Sequence, residues 1–212
     1  MKAYRGEPSI YKNRAAERQK AELDITGVTL TFGGVVALKD IDFQVQTGEL
    51  VAVIGPNGAG KTSLMNCITG YYRPQTGRIV FNGHDITRMP THDLVKIGLG
   101  RTFQNIELFP GMTVLANMLL ARHIHMNYPL ATACLFTKGV RKQEVYHRQV
   151  VEELIDFLEM QPIRKTPVGS LPYGLMKRVE LGRALAMEPS LLVLDEPFAG
   201  MNLEEKEDMV RF

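Results

Sequence analysis

Leu50-Val51-Ala52-Val53-Ile54 followed by Gly55-Pro56-Asn57-Gly58-Ala59-Gly60-Lys61-Thr62 decides how this chain is read. The first five residues are a short, continuous apolar run. That pattern predicts a strand buried on both faces, as in a parallel sheet. The next eight fit G-x-x-x-x-G-K-[ST]. Glycines at these positions let the backbone curl, so that successive N–H groups point inward at an anion. The residues from Lys61 to Thr69 predict a helix stopped at Gly70, and its N-terminal end adds positive potential to the loop.

The loop therefore points to ATP with Mg2+. Gly55, Pro56, Asn57, Gly58, Ala59 and Gly60 form the phosphate cradle. Lys61 is the point charge on the β- and γ-phosphates, and the Thr62 hydroxyl is a metal ligand, with Ser63 beside it. A chance match in a Gly-rich loop would arise in on the order of one chain per hundred. The strand-loop-helix context separates this match from that background.

Working outward, Leu23 to Phe32 alternates and is rich in Ile, Val, Thr and Leu, which predicts a strand. Gly33-Gly34 breaks it, Val35 to Val45 is a second extended segment, and Thr47-Gly48 turns the chain. Arg78 to Phe81 is a further strand ending at an Asn82-Gly83 turn. Thr91 is placed to cap a helix running to Ile97, with Asp93 in its first turn. Met112 to His123, Arg141 to Met160 and Tyr173 to Met187 are predicted helices. In the second of these, Val151, Leu154, Ile155 and Leu158 form one apolar stripe. The segment from Met126 to Gly139 is less regular. Leu191 to Leu194 is a second apolar strand, ending at Asp195. The expected fold is α/β: a P-loop NTPase with a RecA-like parallel-sheet core. An antiparallel β subdomain precedes the core, and an α-helical subdomain is inserted at about 105–175.

Asp195 and Glu196 follow that last strand. In P-loop ATPases an Asp here holds magnesium, usually through water. Glu196 can face the attacking water as general base, because adjacent residues at a strand end point in different directions. A solvated Asp-Glu pair is common in α/β folds, so the pair gains its meaning from the loop at Gly55.

With both motifs in place, the chain resembles the nucleotide-binding subunit of an ATP-binding cassette (ABC) transporter, from about Leu23 onward. Arg101-Thr102-Phe103-Gln104-Asn105 looks like the family's glutamine segment. The resemblance gives Gln104 a catalytic and metal-contacting role that senses the γ-phosphate. Leu171-Pro172-Tyr173-Gly174-Leu175 stands where the family has its signature sequence, commonly L-S-G-G-Q. There Tyr173 and Gly174 would bind the nucleotide of an opposite subunit. Pro172 removes one hydroxyl donor, and bonds to a charged group are worth about 1.5–3 kcal/mol. Backbone N–H groups at the helix start could compensate.

The LPYG form, with FGGVVAL, GRTFQN, LFPGMTVLAN and DEPFAGMN, resembles the ATPases of branched-chain amino-acid importers. Phe32 sits where an aromatic stacks on adenine, with Val36 near the base; the competing reading of Phe32 is a core strand aromatic. Ala199, Gly200 and Met201 lie at the family's subunit-contact loop. The implied partners are a second ABC ATPase subunit (identical or a paralogue), integral-membrane permease subunits and, indirectly, a substrate-binding protein, with no nucleic acid. The implied location is cytoplasmic, peripheral on the inner face of the cell membrane.

The remaining features bound these readings. The chain has 212 residues, 45% hydrophobic and 23% charged, with a net charge of +2. That charge is too small to argue for nucleic acid. Residues 1–22 predict a basic, mobile extension, either solubilising or in contact with an acidic membrane surface. Cys67 and Cys134 show no metal or disulfide spacing. No run of about 18 apolar residues occurs. The resemblance calls for a switch histidine beyond Glu196, yet His84, His92, His123, His125 and His147 all precede Asp195. His123 and His125 read as helix-surface residues. A C-terminally truncated cassette, residues 23–212, with weak ATP binding and poor turnover is therefore expected. The alternatives are a soluble ABC-type ATPase not tied to transport, or a nucleotide-binding module with little turnover.

Overall fold

A computed structural model of the chain describes residues 22–102, 106–126 and 137–212. The basic extension up to residue 21, Gln104 with its neighbours Phe103 and Asn105, Cys134 and most of the irregular 126–139 segment lie outside the described residues. The chain divides into two compact units. Among the described residues, unit one comprises 102–189 with 196–212, and unit two comprises 22–101 with 190–195.

Unit two holds a four-stranded antiparallel sheet of β1 (Leu23–Phe32), β2 (Val35–Val45), β3 (Thr76–Phe81) and β4 (His84–Asp85), in the order β2-β1-β3-β4. Alternation in β1 sends Leu23, Ile25, Val28 and Leu30 inward. There they meet Ile79 and Phe81 of β3, and Leu64, Cys67 and Ile68 of α1 (Lys61–Ile68). Helix α2 (Thr91–Lys96) leads into β5 (Leu99–Arg101), which pairs in parallel with β6 (Leu191–Val193). Gly98 has φ of 93°, and a Cβ there would overlap the Ser190 hydroxyl, so glycine permits β5 and β6 to start side by side.

Two expectations fail here. Leu50–Ile54 carries no secondary structure, and Leu50 and Ile54 are 94% and 92% exposed. An apolar run becomes a buried strand only where neighbouring strands accept its hydrogen bonds. Among the described residues β5 and β6 pair only with each other. Thr91 is not the cap of α2: Pro90 holds the N-cap position. The Thr91 hydroxyl donates instead to the Thr69 carbonyl at 3.1 Å.

Unit one is helical. Its elements are α3 (Val114–Ala121), α4 (Lys138–Phe157), α5 (Tyr173–Ala186) and α6 (Leu203–Val210), with 3-10 turns at Arg122–His125, Gln161–Ile163 and Val168–Ser170. The stripe Val151, Leu154, Ile155 and Leu158 is fully buried against Val114 and Met118 of α3 and Val179 of α5. Gly182 permits this close approach, since a Cβ there would meet the Leu158 and Met118 side chains. Thr113 caps α3 by accepting from Ala116 N–H at 3.2 Å.

His123 is exposed, as expected, whereas His125 is half-buried. Its Nε2 lies 3.0 Å from the Met187 carbonyl, and its ring stacks near His147. His147 is 4% exposed. Its Nδ1 accepts from Arg122, whose guanidinium also donates to Glu188 at 2.6 Å and to the Ala186 carbonyl at 2.8 Å. Burial, then the Arg122 cation, push the His147 pKa below its ordinary value.

Candidate functional site: a phosphate loop and its acidic neighbour

The loop in unit two is shaped by glycine. Gly58 and Gly60 have φ of 83° and 87°, the left-handed region that L side chains rarely adopt. A Cβ on Gly60 would overlap the Ala37 carbonyl and lie 3.1 Å from Leu38 Cδ2, so the loop rests directly on the β2 backbone. Gly58 has nothing within 4 Å of such a Cβ. Ala59 N–H donates to the Pro56 carbonyl at 3.2 Å, which closes a turn inside the loop.

Lys61 bends back over this turn, donating to the Gly55 and Pro56 carbonyls at 2.9 and 3.0 Å. Gly60 is the N-cap of α1, and no side chain caps that end. The first N–H groups of α1, the ammonium of Lys61 and a glycine turn open at Gly58 are therefore gathered at one place. This donor set fits the phosphates of a nucleotide. Thr62 is exposed and Ser63 half-buried at the head of the helix.

Asp195, just past β6, is buried, and its Oδ2 accepts from Arg101 Nη2 at 2.9 Å. Arg101 also donates through Nη1 to Asn66 Oδ1 on α1 at 2.6 Å and to Oγ1 of Thr69, the C-cap residue of α1, at 2.8 Å. Among the described residues no group of three or more His, Cys, Asp and Glu side chains is gathered as a metal site. A magnesium ion would therefore rely on a hydroxyl, one carboxylate, water and substrate phosphates, which is the ordinary pattern for this ion.

At the end of β1, Phe32 is 46% exposed and packs edge-on against Tyr72, with ring centroids 5.0 Å apart. Val36 is exposed in the register Thr31↔Val36. The side chain of Gln75 clamps the Thr31 backbone, accepting at 2.8 Å and donating at 3.0 Å. An exposed aromatic face on a clamped strand end suits stacking on a flat base.

In unit one, Glu196 is exposed with φ of 48°. Tyr173 and Gly174 open α5, with Pro172 as the N-cap residue. Gly174 N–H donates to Glu205 Oε1 at 3.2 Å. Glu205 also completes a capping box with Asn202, at 3.0 and 2.9 Å. A Cβ on Gly200 would lie 3.0 Å from the Tyr173 ring, so the loop before α6 packs on the start of α5.

Sequence reasoning missed Tyr72, Gln75, Glu205 and the role of Arg101. Only Glu205 left a local trace, as the fourth residue of an N-x-x-E capping pattern. Gln104 lies outside the described residues.

Comparison with known proteins places this geometry. The ABC transporter family matches residues 38–199. The chain is 36% identical to the high-affinity branched-chain amino acid transport ATP-binding protein BraF of Pseudomonas aeruginosa, and 32% identical to its counterpart LivG of Escherichia coli K12. Each alignment covers 88% of this chain and 73% of the relative. Among solved structures, an ATP-binding cassette of an ABC transporter in its ADP conformation is similar, with a TM-score of 0.75 and 33% identity. That match covers 89% of this chain and 74% of the other. Loop, fold and sequence agree: the chain belongs to the ABC transporter family, as an ATP-binding cassette and an ATPase.

Proposed function

We propose that this ATPase energises a membrane importer for branched-chain or related aliphatic amino acids. The substrate class rests on one observation, the 36% identity to BraF along 88% of the chain. The loop spanned by Lys61 and open at Gly58 supports the nucleotide.

In this reading the cassette runs from residue 23, after a basic extension at 1–22, with a helical insert at about 105–175. The loop from Gly55 to Gly60 cradles the phosphates, with the backbone N–H groups of its non-proline residues, Lys61 and Ser63 as the donors. Phe32 stacks on adenine, and Val36 lies against the base. Thr62, Gln104 and Asp195 would hold Mg2+, which would supply neutralisation of the phosphate charge. Glu196 accepts a proton from the water that attacks the γ-phosphorus. The bond to the β-phosphate oxygen breaks, leaving ADP and phosphate. The protein contributes mainly position and charge.

Tyr173 and Gly174, at the start of α5, bind the nucleotide of a second cassette, the Gly174 N–H exchanging Glu205 Oε1 for phosphate, so two nucleotides are held between two subunits. Solved cassettes of this fold include dimers. The cassette docks on integral-membrane permease subunits, fed by a substrate-binding protein, at the cytoplasmic face of the cell membrane. Among the described residues no helix is long and apolar enough to cross a membrane.

The test is reconstitution with the neighbouring permease and binding-protein gene products in ATP-loaded proteoliposomes, following labelled leucine. Uptake is expected with the unaltered chain. Glu196→Gln should bind nucleotide normally and abolish both turnover and uptake. Normal turnover by Glu196→Gln would remove Glu196 from the role of base. Absence of leucine, isoleucine and valine uptake beside intact ATPase activity would overturn the substrate class alone.

A further inference from the structure

Arg101 ends β5, and its guanidinium is enclosed in unit two. Side-chain exposure is 8% for Arg101 and 5% for Asp195. One nitrogen, Nη2, serves Asp195 at 2.9 Å. The other, Nη1, serves Asn66 and Thr69 at 2.6 and 2.8 Å. Thr69 is itself held, since its hydroxyl donates to the Met65 carbonyl at 2.7 Å. The plane also lies over the Tyr71 ring, 5.7 Å from its centroid. A planar fork with fixed donor directions can bridge two elements in this way, whereas a single ammonium cannot reproduce the angle.

The two elements are the functional ones. Asn66 lies on the helix that begins with Lys61 and Thr62, about 6 Å along its axis from Thr62, and Thr69 is the C-cap residue of that helix. Asp195 is the carboxylate at the end of β6. Oδ2 is committed to Arg101, and among the described residues no donor is directed at Oδ1. The carboxylate is thus held by one oxygen against the phosphate-loop helix, which sets the direction of the other.

We propose that Arg101 is a positioning residue for the metal: it locks Asp195 to α1 through Oδ2, so that Oδ1 keeps a fixed relation to Thr62. The inference rests on the reading of Asp195 and Thr62 as the magnesium-holding pair. Partners that orient a metal-holding group typically account for 10- to 100-fold in metal affinity when removed. Because Nη1 and Nη2 of Arg101 are committed to Asn66, Thr69 and Asp195, its effect belongs to the metal-dependent part of binding.

The experiment titrates the purified chain with a fluorescent ATP analogue, once with Mg2+ and once with EDTA. Its readout is the ratio of the two affinities, the gain due to metal. Arg101→Met should lower that gain about tenfold, with metal-free binding as the internal reference. Arg101→Lys, which can pair with Asp195 but not also bridge both α1 side chains, should restore part of it. Thr69→Val and Asn66→Ala keep the ion pair and loosen its anchor. They should each lower the gain by a few-fold, and they carry the test if Arg101→Met fails to fold by circular dichroism.

An unchanged gain in the folded variants would overturn the proposal. Equal loss of metal-free and metal-dependent binding would do the same by showing a structural role only. A wild-type chain that binds ATP with no gain from Mg2+ would sink the proposal through its premise while leaving nucleotide binding intact. A wild-type chain that binds no ATP would instead refute the proposed function.

Discussion

Gly58→Ala and Gly60→Ala make a matched pair, because both glycines have nearly equal positive φ in the same loop and differ only in what a methyl group would meet. Holding an alanine in the left-handed region costs about 1–2 kcal/mol. Gly58 carries that term alone, since nothing lies within 4 Å of its missing Cβ. At Gly60 the methyl would overlap the Ala37 carbonyl, a backbone atom of β2, and approach Leu38 Cδ2 to 3.1 Å. A backbone atom anchored in a sheet cannot swing aside as a flexible side chain can, so overpacking adds about 1–3 kcal/mol.

Gly60→Ala is therefore expected to destabilise by about 2–5 kcal/mol and Gly58→Ala by about 1–2 kcal/mol. Urea unfolding of the nucleotide-free chain, followed by circular dichroism, should separate the two midpoints by about 1 M for an m-value of about 2 kcal/mol/M. Coincident midpoints would show that the loop does not rest on β2, and the argument from the Ala37 carbonyl would fall.

Two further expectations concern groups outside the proposed chemistry. His147 is buried as a neutral acceptor for Arg122, with its folded pKa below the ordinary 6.5. Between the folded and ordinary values the unfolded chain binds more protons, so stability is full above about pH 6.5 and falls as pH drops towards the folded pKa, at up to about 1.4 kcal/mol per pH unit. Amide exchange in α3 and α4 across pH 5 to 7.5 should show this slope, and His147→Gln should flatten it; an equal slope in both proteins would assign it elsewhere. Cys67 is fully buried, and burial pushes its thiol up to about 11. It should resist iodoacetamide at pH 8 until urea unfolds unit two, and prompt alkylation in the native state would contradict its packing.

The sequence by itself determined what depends on neighbours along the chain. The loop from Gly55 to Thr62 needs glycines, a lysine and a hydroxyl at set offsets, and the helix that follows, Lys61–Ile68, was predicted to within a residue. The stripe Val151, Leu154, Ile155 and Leu158 fell on one buried face because a helix repeats every 3.6 residues. The family followed from short motifs in a set order. Tertiary structure decided everything whose partner lies far away. The same apolarity that made Leu191–Val193 a strand did not make one of Leu50–Ile54, because a ladder requires a neighbour and hydropathy does not name it. The contact of His125 went unseen because its partner, the Met187 carbonyl, lies beyond two helices in the chain. Arg101 stood in plain view beside Gln104, yet its ion pair spans 94 residues. Long-range pairs of this kind leave no periodicity and no spacing rule, since only the folded backbone brings their atoms within hydrogen-bond reach.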